Sequence, residues 1–275
     1  MTISELRNNI KNHLSGKFFK SIFMYVIFSI LTVILIFSVL LLGSFVTVLV
    51  GSSKLLVVLS IVAMAIVTLL LTFILNYSIT VSMLKLYRNE PVSSFSFLSK
   101  ENLKGKFAIK LNLYFFWKLL LPYIAYIGGM ILIIAGLTVR SSSSLPLLLI
   151  GALLILVGIV LVILKTFLYV LIIPVRHDNT QVTTKEVFEI SASYMKGKRF
   201  KYFLLQLSYY AILFLIGIIA GIVMGFVGVP GETASLVSNI ISLFGGIILF
   251  PFTSFALFTY YDYVSNRSEV TPVQE

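Results

Sequence analysis

The chain has 275 residues, 59% hydrophobic and only 11% charged, with a mean hydropathy of +1.06. Soluble domains carry about 25% charge and about 45–50% apolar residues, so the composition excludes a soluble globular chain and points to apolar runs that cross a bilayer. The net charge of +11, which in a soluble chain would suggest nucleic acid, sits here beside those runs, where the positive-inside bias of a multi-span membrane protein and anionic lipid explain it.

Residues 2–15 place Ile3, Leu6, Ile10 and Leu14 at helical spacing, with Arg7, Lys11 and several asparagines on the other face. That pattern predicts a short helix lying in the membrane interface. Gly16 breaks it inside Leu14-Ser15-Gly16-Lys17-Phe18, and a first span follows over about 19–42. The apolar run is too long for a signal peptide and ends without a small-residue cleavage site, so it reads as a retained span. A Gly/Ser-rich turn over 43–53 leads to a second span over about 55–84, which ends on Lys85 and Arg88.

The same punctuation returns about ninety residues later. Ser93 is a candidate N-cap for a second surface helix carrying Phe95, Leu98 and Leu103, broken at Leu103-Lys104-Gly105-Lys106-Phe107. The third span, about 108–139, contains Pro122 and is expected to kink there. A turn at Arg140-Ser141-Ser142-Ser143-Ser144-Leu145-Pro146 precedes the fourth span, about 147–175.

The third surface helix is the clearest. Thr183 and Glu186 have capping-box spacing, Val187, Ile190 and Tyr194 form an apolar side, and Tyr194-Met195-Lys196-Gly197-Lys198-Arg199-Phe200 ends it. A fifth span over about 202–228, a turn at Val229-Pro230-Gly231-Glu232 and a sixth span over about 237–262 complete the pattern, and a polar tail covers 265–275. The expected fold is all-α: one membrane domain, 1–275, with six transmembrane helices in three hairpin repeats of approximately 1–90, 91–180 and 181–275. Each hairpin is preceded by a cytoplasmic amphipathic helix. Gly16, Gly105 and Gly197 are the expected hinges, since glycine readily takes the left-handed conformation that closes a helix.

Six spans place both termini on one side. That side holds Arg7, Lys11, Lys17 and Lys20, the Lys/Arg-rich segments around Gly105 and Gly197, and Arg267, whereas Lys54 and Arg140 stand on the other. Both termini are therefore expected in the cytoplasm.

Signatures of catalysis are sparse. The absence of cysteine removes disulfides and thiolate chemistry. The two histidines, His13 and His177, lie far apart, and no HExxH, GxSxG or GxxxxGK[ST] pattern occurs. The expectation is a protein with no enzymatic role, no cofactor and no metal.

Lys118 and Lys165 fall within spans, and Asn76 lies at similar depth on the second. Ionisable groups inside a membrane by default suggest function, so these three form a candidate anion or lipid-headgroup site. Snorkelling of the two ammonium groups toward the interface is the competing reading. Gly217, Gly221 and Gly225 make a GxxxGxxxG stripe suited to close helix packing, either on the sixth span near Gly245-Gly246 or in a homo-oligomer. Tyr209, Tyr210, Tyr260, Tyr261 and Tyr263 fit an interfacial aromatic belt.

Tyr169, Asp178-Asn179, Ser191, Tyr194-Met195-Lys196-Gly197-Lys198, Phe203, Leu207-Ser208, Pro251-Phe252, Ala256 and Tyr261 together resemble a bacterial family of six-span membrane proteins catalogued as a domain of unknown function. The motif-level resemblance covers roughly the C-terminal 100 residues. It implies a location in the bacterial plasma membrane and carries over no reaction. The expected role is a non-enzymatic integral membrane protein of the cell envelope that organises lipid or docks a partner. The alternative is a transporter or lipid-translocating protein for an anionic or amphiphilic substrate. Anionic membrane lipid is the expected partner, with a protein partner or a second copy of the chain as further possibilities and no nucleic acid.

Overall fold

A computed structural model describes residues 1–50, 53–138, 144–228 and 230–265. In chain order it contains α1 (Ile3–Leu14), α2 (Phe18–Val50), α3 (Lys54–Tyr87), a single 3-10 turn (Ser96–Leu98), α4 (Gly105–Thr138), α5 (Ser144–Leu168), α6 (Ile172–Asp178), α7 (Thr184–Met195), α8 (Arg199–Val227) and α9 (Gly231–Val264). No strand occurs among the described residues. Six stretches are long and apolar enough to cross a membrane: Phe18–Val46, Leu55–Tyr87, Gly105–Thr138, Ser144–Asp178, Arg199–Val227 and Gly231–Val264. The all-α, multi-span architecture expected from composition is the architecture observed.

Several boundaries differ from the expected ones, each for a local reason. The turn placed at 43–53 begins late, because α2 runs through Gly43, whose missing side chain leaves room for Met64 of α3. A surface helix ahead of Gly105 is absent. Serines at 93, 94, 96 and 99 offer the backbone competing hydrogen bonds, and only one 3-10 turn forms there. That segment is pinned to α3 instead: the Ser78 hydroxyl donates to the Phe97 carbonyl, Phe97 is fully buried, and Asn102 Nδ2 donates to Ser82 Oγ (3.0 Å) and the Ser96 carbonyl (2.8 Å). Gly105 is the first residue of α4, not a hinge after a helix. The fourth span breaks between Leu168 and Ile172, since Pro174 has no N–H for the Val170 carbonyl and would clash with it in a continuous helix. α4 continues unbroken through Pro122. The serine-rich turn over 139–143, residues 51–52 and the polar tail from 266 lie outside the described residues.

The chain forms two compact units, Met1–Ile109 with Lys201–Glu275, and Lys110–Phe200. In the first, α2, α3 and α9 pack on one another and α1 packs on α9. Its core lies toward the helix ends nearest the chain termini: Met24 and Phe28 of α2, Met83 and Leu84 of α3, and Phe255, Phe258, Tyr260 and Tyr261 of α9 are buried. The far halves of the same helices expose apolar side chains such as Phe37, Leu42, Leu59, Ile66, Leu243 and Phe244. Exposed apolar surface of that extent belongs against lipid.

In the second unit α4 and α5 approach through glycines. A Cβ added to Gly129 would stand 2.6 Å from the Gly151 carbonyl oxygen, and one on Gly151 would stand 2.9 Å from that of Gly129. Below them Phe188 of α7 is enclosed by Tyr114, Phe115 and Tyr169. Ser191 Oγ closes the α5 terminus by donating to the Leu168 carbonyl (3.1 Å), and the buried Arg176 donates to the carbonyls of Asn179 (3.2 Å) and Val182 (2.7 Å). The Thr183–Glu186 capping box starts α7 as the spacing suggests. The hydrogen bonds from Thr183 hold the Glu186 carboxyl below its ordinary range.

Gly129→Ala and Gly151→Ala should each lower the apparent unfolding temperature in detergent, because the new methyl meets a backbone carbonyl that cannot yield. Overpacking of this kind costs roughly 1–3 kcal/mol. Gly246→Ala, where a Cβ meets nothing within 4 Å, serves as the control and should leave the temperature unchanged or slightly raised.

Candidate functional site

The polar chemistry of the first unit gathers around α1. This helix opens with a capping box: Thr2 Oγ1 accepts from the Glu5 N–H (3.2 Å), and Glu5 Oε2 accepts from the Thr2 N–H (2.8 Å). Leu6 and Ile10 are fully buried and Leu14 nearly so, because the apolar side of α1 lies on α9. The helix expected to float in the interface is thus docked on protein through that face. Ser15 and Gly16 then turn the chain, with Gly16 at φ +73°, a conformation that costs an L-residue roughly 1–2 kcal/mol.

That turn delivers Lys17 to the end of α3, where the last turn of α1 also places His13. Lys17 Nζ donates to the Tyr87 carbonyl (3.0 Å), one of the acceptors a helix C-terminus leaves without an intrahelical partner. The Tyr87 ring lies 4.6 Å from the His13 ring, and its hydroxyl donates to Asp262 Oδ2 of α9 (2.8 Å). Phe255 and Phe258 of α9 complete the surroundings of Tyr87. Burial, and then the Lys17 charge, push the His13 pKa below its ordinary 6.5, and burial lowers that of Lys17. Among the described residues no group of three or more His, Cys, Asp or Glu is placed to hold a metal ion.

On its other side α1 borders an open cavity of about 470 Å³, lined by Ile3, Ser4, Arg7, Asn8 and Lys11 together with Tyr209 of α8 and Phe252 of α9. The Arg7 guanidinium lies 5.8 Å from the centroid of the Tyr209 ring, and Tyr209 stacks on Phe252 at 5.6 Å. Phe18 packs on the same Phe252 at 5.6 Å. At one end of α1, Lys201 Nζ bonds the Met1 carbonyl and the Tyr263 hydroxyl (3.1 Å). Neither Arg7 nor Lys11 has a carboxylate partner among the described residues.

The residues singled out from sequence are distributed differently. Asn76 belongs to the first unit, is exposed, and gives its amide to the Thr72 carbonyl of its own helix (3.0 Å). Lys118 and Lys165 belong to the second unit and are half-buried. Lys118 Nζ rests 5.2 Å from the ring centroid of Tyr114, one turn back on the same helix, and no described contact joins it to Lys165. A Cβ on Gly217, Gly221 or Gly225 meets nothing within 4 Å, and the close glycine contact between α8 and α9 is made by Gly245 against Leu213. Gly197, also at φ +73°, lies between α7 and α8.

In the sequence Arg7 and Lys11 stand out as the polar side of a surface helix and as part of the basic charge of the cytoplasmic side, not as a site. Their i, i+4 spacing was a signal that both cations share one face. The aromatic wall was not readable, because Tyr209 and Phe252 arrive from the far end of the chain.

A family model described as "Protein of unknown function (DUF975)" matches residues 1–268. No curated protein matches the chain, and neither does any solved structure.

The sign of the His13 effect follows from its lowered pKa. Above about pH 6.5 the ring is neutral whether α1 is docked or not. As pH falls below that value the unfolded chain takes up the proton more readily than the folded one, so stability declines until the folded-state pKa is passed. The unfolding temperature of the purified protein, measured between pH 8 and pH 5, should fall on the acid side. His13→Gln should flatten that part of the profile.

Proposed function

We propose that this chain, which belongs to the DUF975 family of proteins of unknown function, is a non-enzymatic integral membrane protein of the bacterial cell envelope that gathers anionic lipid around its cytoplasmic end. The observation that carries the reading is the placement of Arg7 and Lys11. Both are exposed on a helix whose apolar face is already used against α9, both lack carboxylate partners among the described residues, and both border an open cavity. Cations left in this way beside apolar spans favour anionic headgroups, each contributing about 1 kcal/mol near a charged surface.

The orientation comes from charge. The segments around Gly16, Gly105 and Gly197 carry the basic residues, which the positive-inside bias assigns to the cytoplasm together with both termini. The resemblance to bacterial six-span proteins supports the plasma membrane as the location.

Because the chain has no cysteine, single substitutions report topology cleanly. With a membrane-impermeant maleimide, Glu232→Cys should label in intact cells. Asn12→Cys should label only in inverted vesicles, and the reverse pattern overturns the orientation. Extracted with a polymer that keeps surrounding lipid, the protein should carry more anionic phospholipid than the bulk membrane. An equal composition overturns the lipid-gathering role.

A further inference from the structure

We propose that the cavity between α1, α8 and α9 is a binding site for the headgroup of an anionic phospholipid, its phosphodiester held by Arg7 and Lys11 and its acyl side laid on Tyr209 and Phe252. The proposal rests on the lipid-gathering reading above and gives it an address.

The lining divides by chemistry. Arg7, Lys11, Asn8 and Ser4 all come from one side of α1, while Tyr209 and Phe252 come from two spans. Arg7 presents a planar fork of donors suited to two oxygens of one phosphate, and Lys11 adds a compact charge one turn away. With its guanidinium over the Tyr209 ring, Arg7 is held at the cavity and loses less freedom on binding. Ser4 and Asn8 are neutral, so they suit hydroxyls of a glycerol headgroup rather than a second charge. Among the described residues no carboxylate lines the cavity to compete with an anion. Its volume, about 470 Å³, falls within the roughly 300–1,000 Å³ of small-ligand sites.

Its level on the helices selects a lipid over a free phosphate ester. On α8 the buried positions end at Tyr209, and Ile212, Phe214 and Leu215 beyond it are exposed. On α9 the order is mirrored: Leu243, Phe244 and Ile248 are exposed, Phe252 is half-buried, and Phe255 onward lies in the core. The cavity therefore sits where packed protein gives way to apolar surface that lipid must cover. A phosphate at this height has its acyl chains beside exposed Ile, Leu and Phe.

The test uses the full chain in a zwitterionic detergent, titrated with dioctanoyl-phosphatidylglycerol, dioctanoyl-phosphatidylcholine or glycerol 3-phosphate. Binding is followed by native mass spectrometry and by the shift in unfolding temperature. Phosphatidylglycerol should bind at least tenfold more tightly than either of the others. Arg7→Gln with Lys11→Gln should remove that preference. Lys196→Gln with Lys198→Gln, which removes the same charge elsewhere, should leave it intact. Equal binding of the two lipids, or an unaffected Arg7/Lys11 variant, overturns the site. An equal loss in the Lys196/Lys198 variant reduces it to general charge attraction and overturns it as well. Glycerol 3-phosphate binding as tightly as the lipid would make the occupant a soluble ester and overturn the lipid assignment. Should the double glutamine variant fail to fold, Arg7→Lys answers in its place: it keeps the charge but loses the fork, and the preference should weaken severalfold. Orientation has no influence in micelles, and lipid enrichment in membranes can also come from the exposed basic residues around Gly105 and Gly197. Failure here is thus separable from failure of the broader reading.

Discussion

A bilayer offers helices no hydrogen-bond partner, and each helix end leaves several backbone groups without one. In this chain several of the ends are closed by side chains, some of them brought from another element. Lys17 closes α3 at the Tyr87 carbonyl, and Ser191 closes α5 at the Leu168 carbonyl. Arg176 serves the carbonyls of Asn179 and Val182, and Asn102 and Ser78 hold the segment after α3 through the carbonyls of Ser96 and Phe97. Thr2 and Thr183 start α1 and α7 with capping boxes. The elements near the chain termini and around Gly197 are therefore not decoration on a bundle of spans. They supply the groups that let the spans end.

The same constraint explains α1. A helix of 12 residues is marginal in water on its own. It persists here because Leu6, Ile10 and Leu14 are buried on α9 while Lys17 and His13 tie its far end to Tyr87. Burial of a Leu or Ile side chain contributes about 1.5–3 kcal/mol, so three of them matter against the ordering of a short helix. Tyr87 joins three elements at once, with its carbonyl on Lys17, its ring on His13 and its hydroxyl on Asp262. The lowered pKa of His13 is the electrostatic trace of that crowding.

How much of this the sequence revealed depends on distance along the chain. The six spans were legible because an apolar run is a local property, and observed and expected ends agree to within a few residues in most cases. The Thr183–Glu186 box and the glycine breaks at Gly16 and Gly197 were legible for the same reason. The segment before Gly105 misled because its apolar spacing suggested a helix, whereas its serines and the anchoring of Phe97 and Asn102 on α3 decide the outcome. The glycine spacing is most regular at Gly217, Gly221 and Gly225, where a Cβ meets nothing within 4 Å of the same chain. Close backbone contact within the chain is made at Gly129 and Gly151, which only the pairing of α4 with α5 reveals. The cavity joins Arg7 to Tyr209, a pairing no local pattern encodes.

Docking of α1 and occupancy of its cavity are linked by construction. Arg7 and Lys11 belong to α1, and Tyr209 and Phe252 belong to the spans it rests on, so a headgroup touching both sets exists only in the docked arrangement. Any such ligand stabilises docking in proportion to the logarithm of its concentration over its dissociation constant. Protonation of His13 acts on the same helix in the opposite sense, since the buried ring and the neighbouring Lys17 disfavour a second positive charge. Linkage is reciprocal for binding free energies. Acid that loosens α1 must weaken the lipid by the factor through which the lipid resists acid. With an anionic headgroup in the proposed cavity, α1 would join the charge of the membrane surface to the packing of α3 and α9.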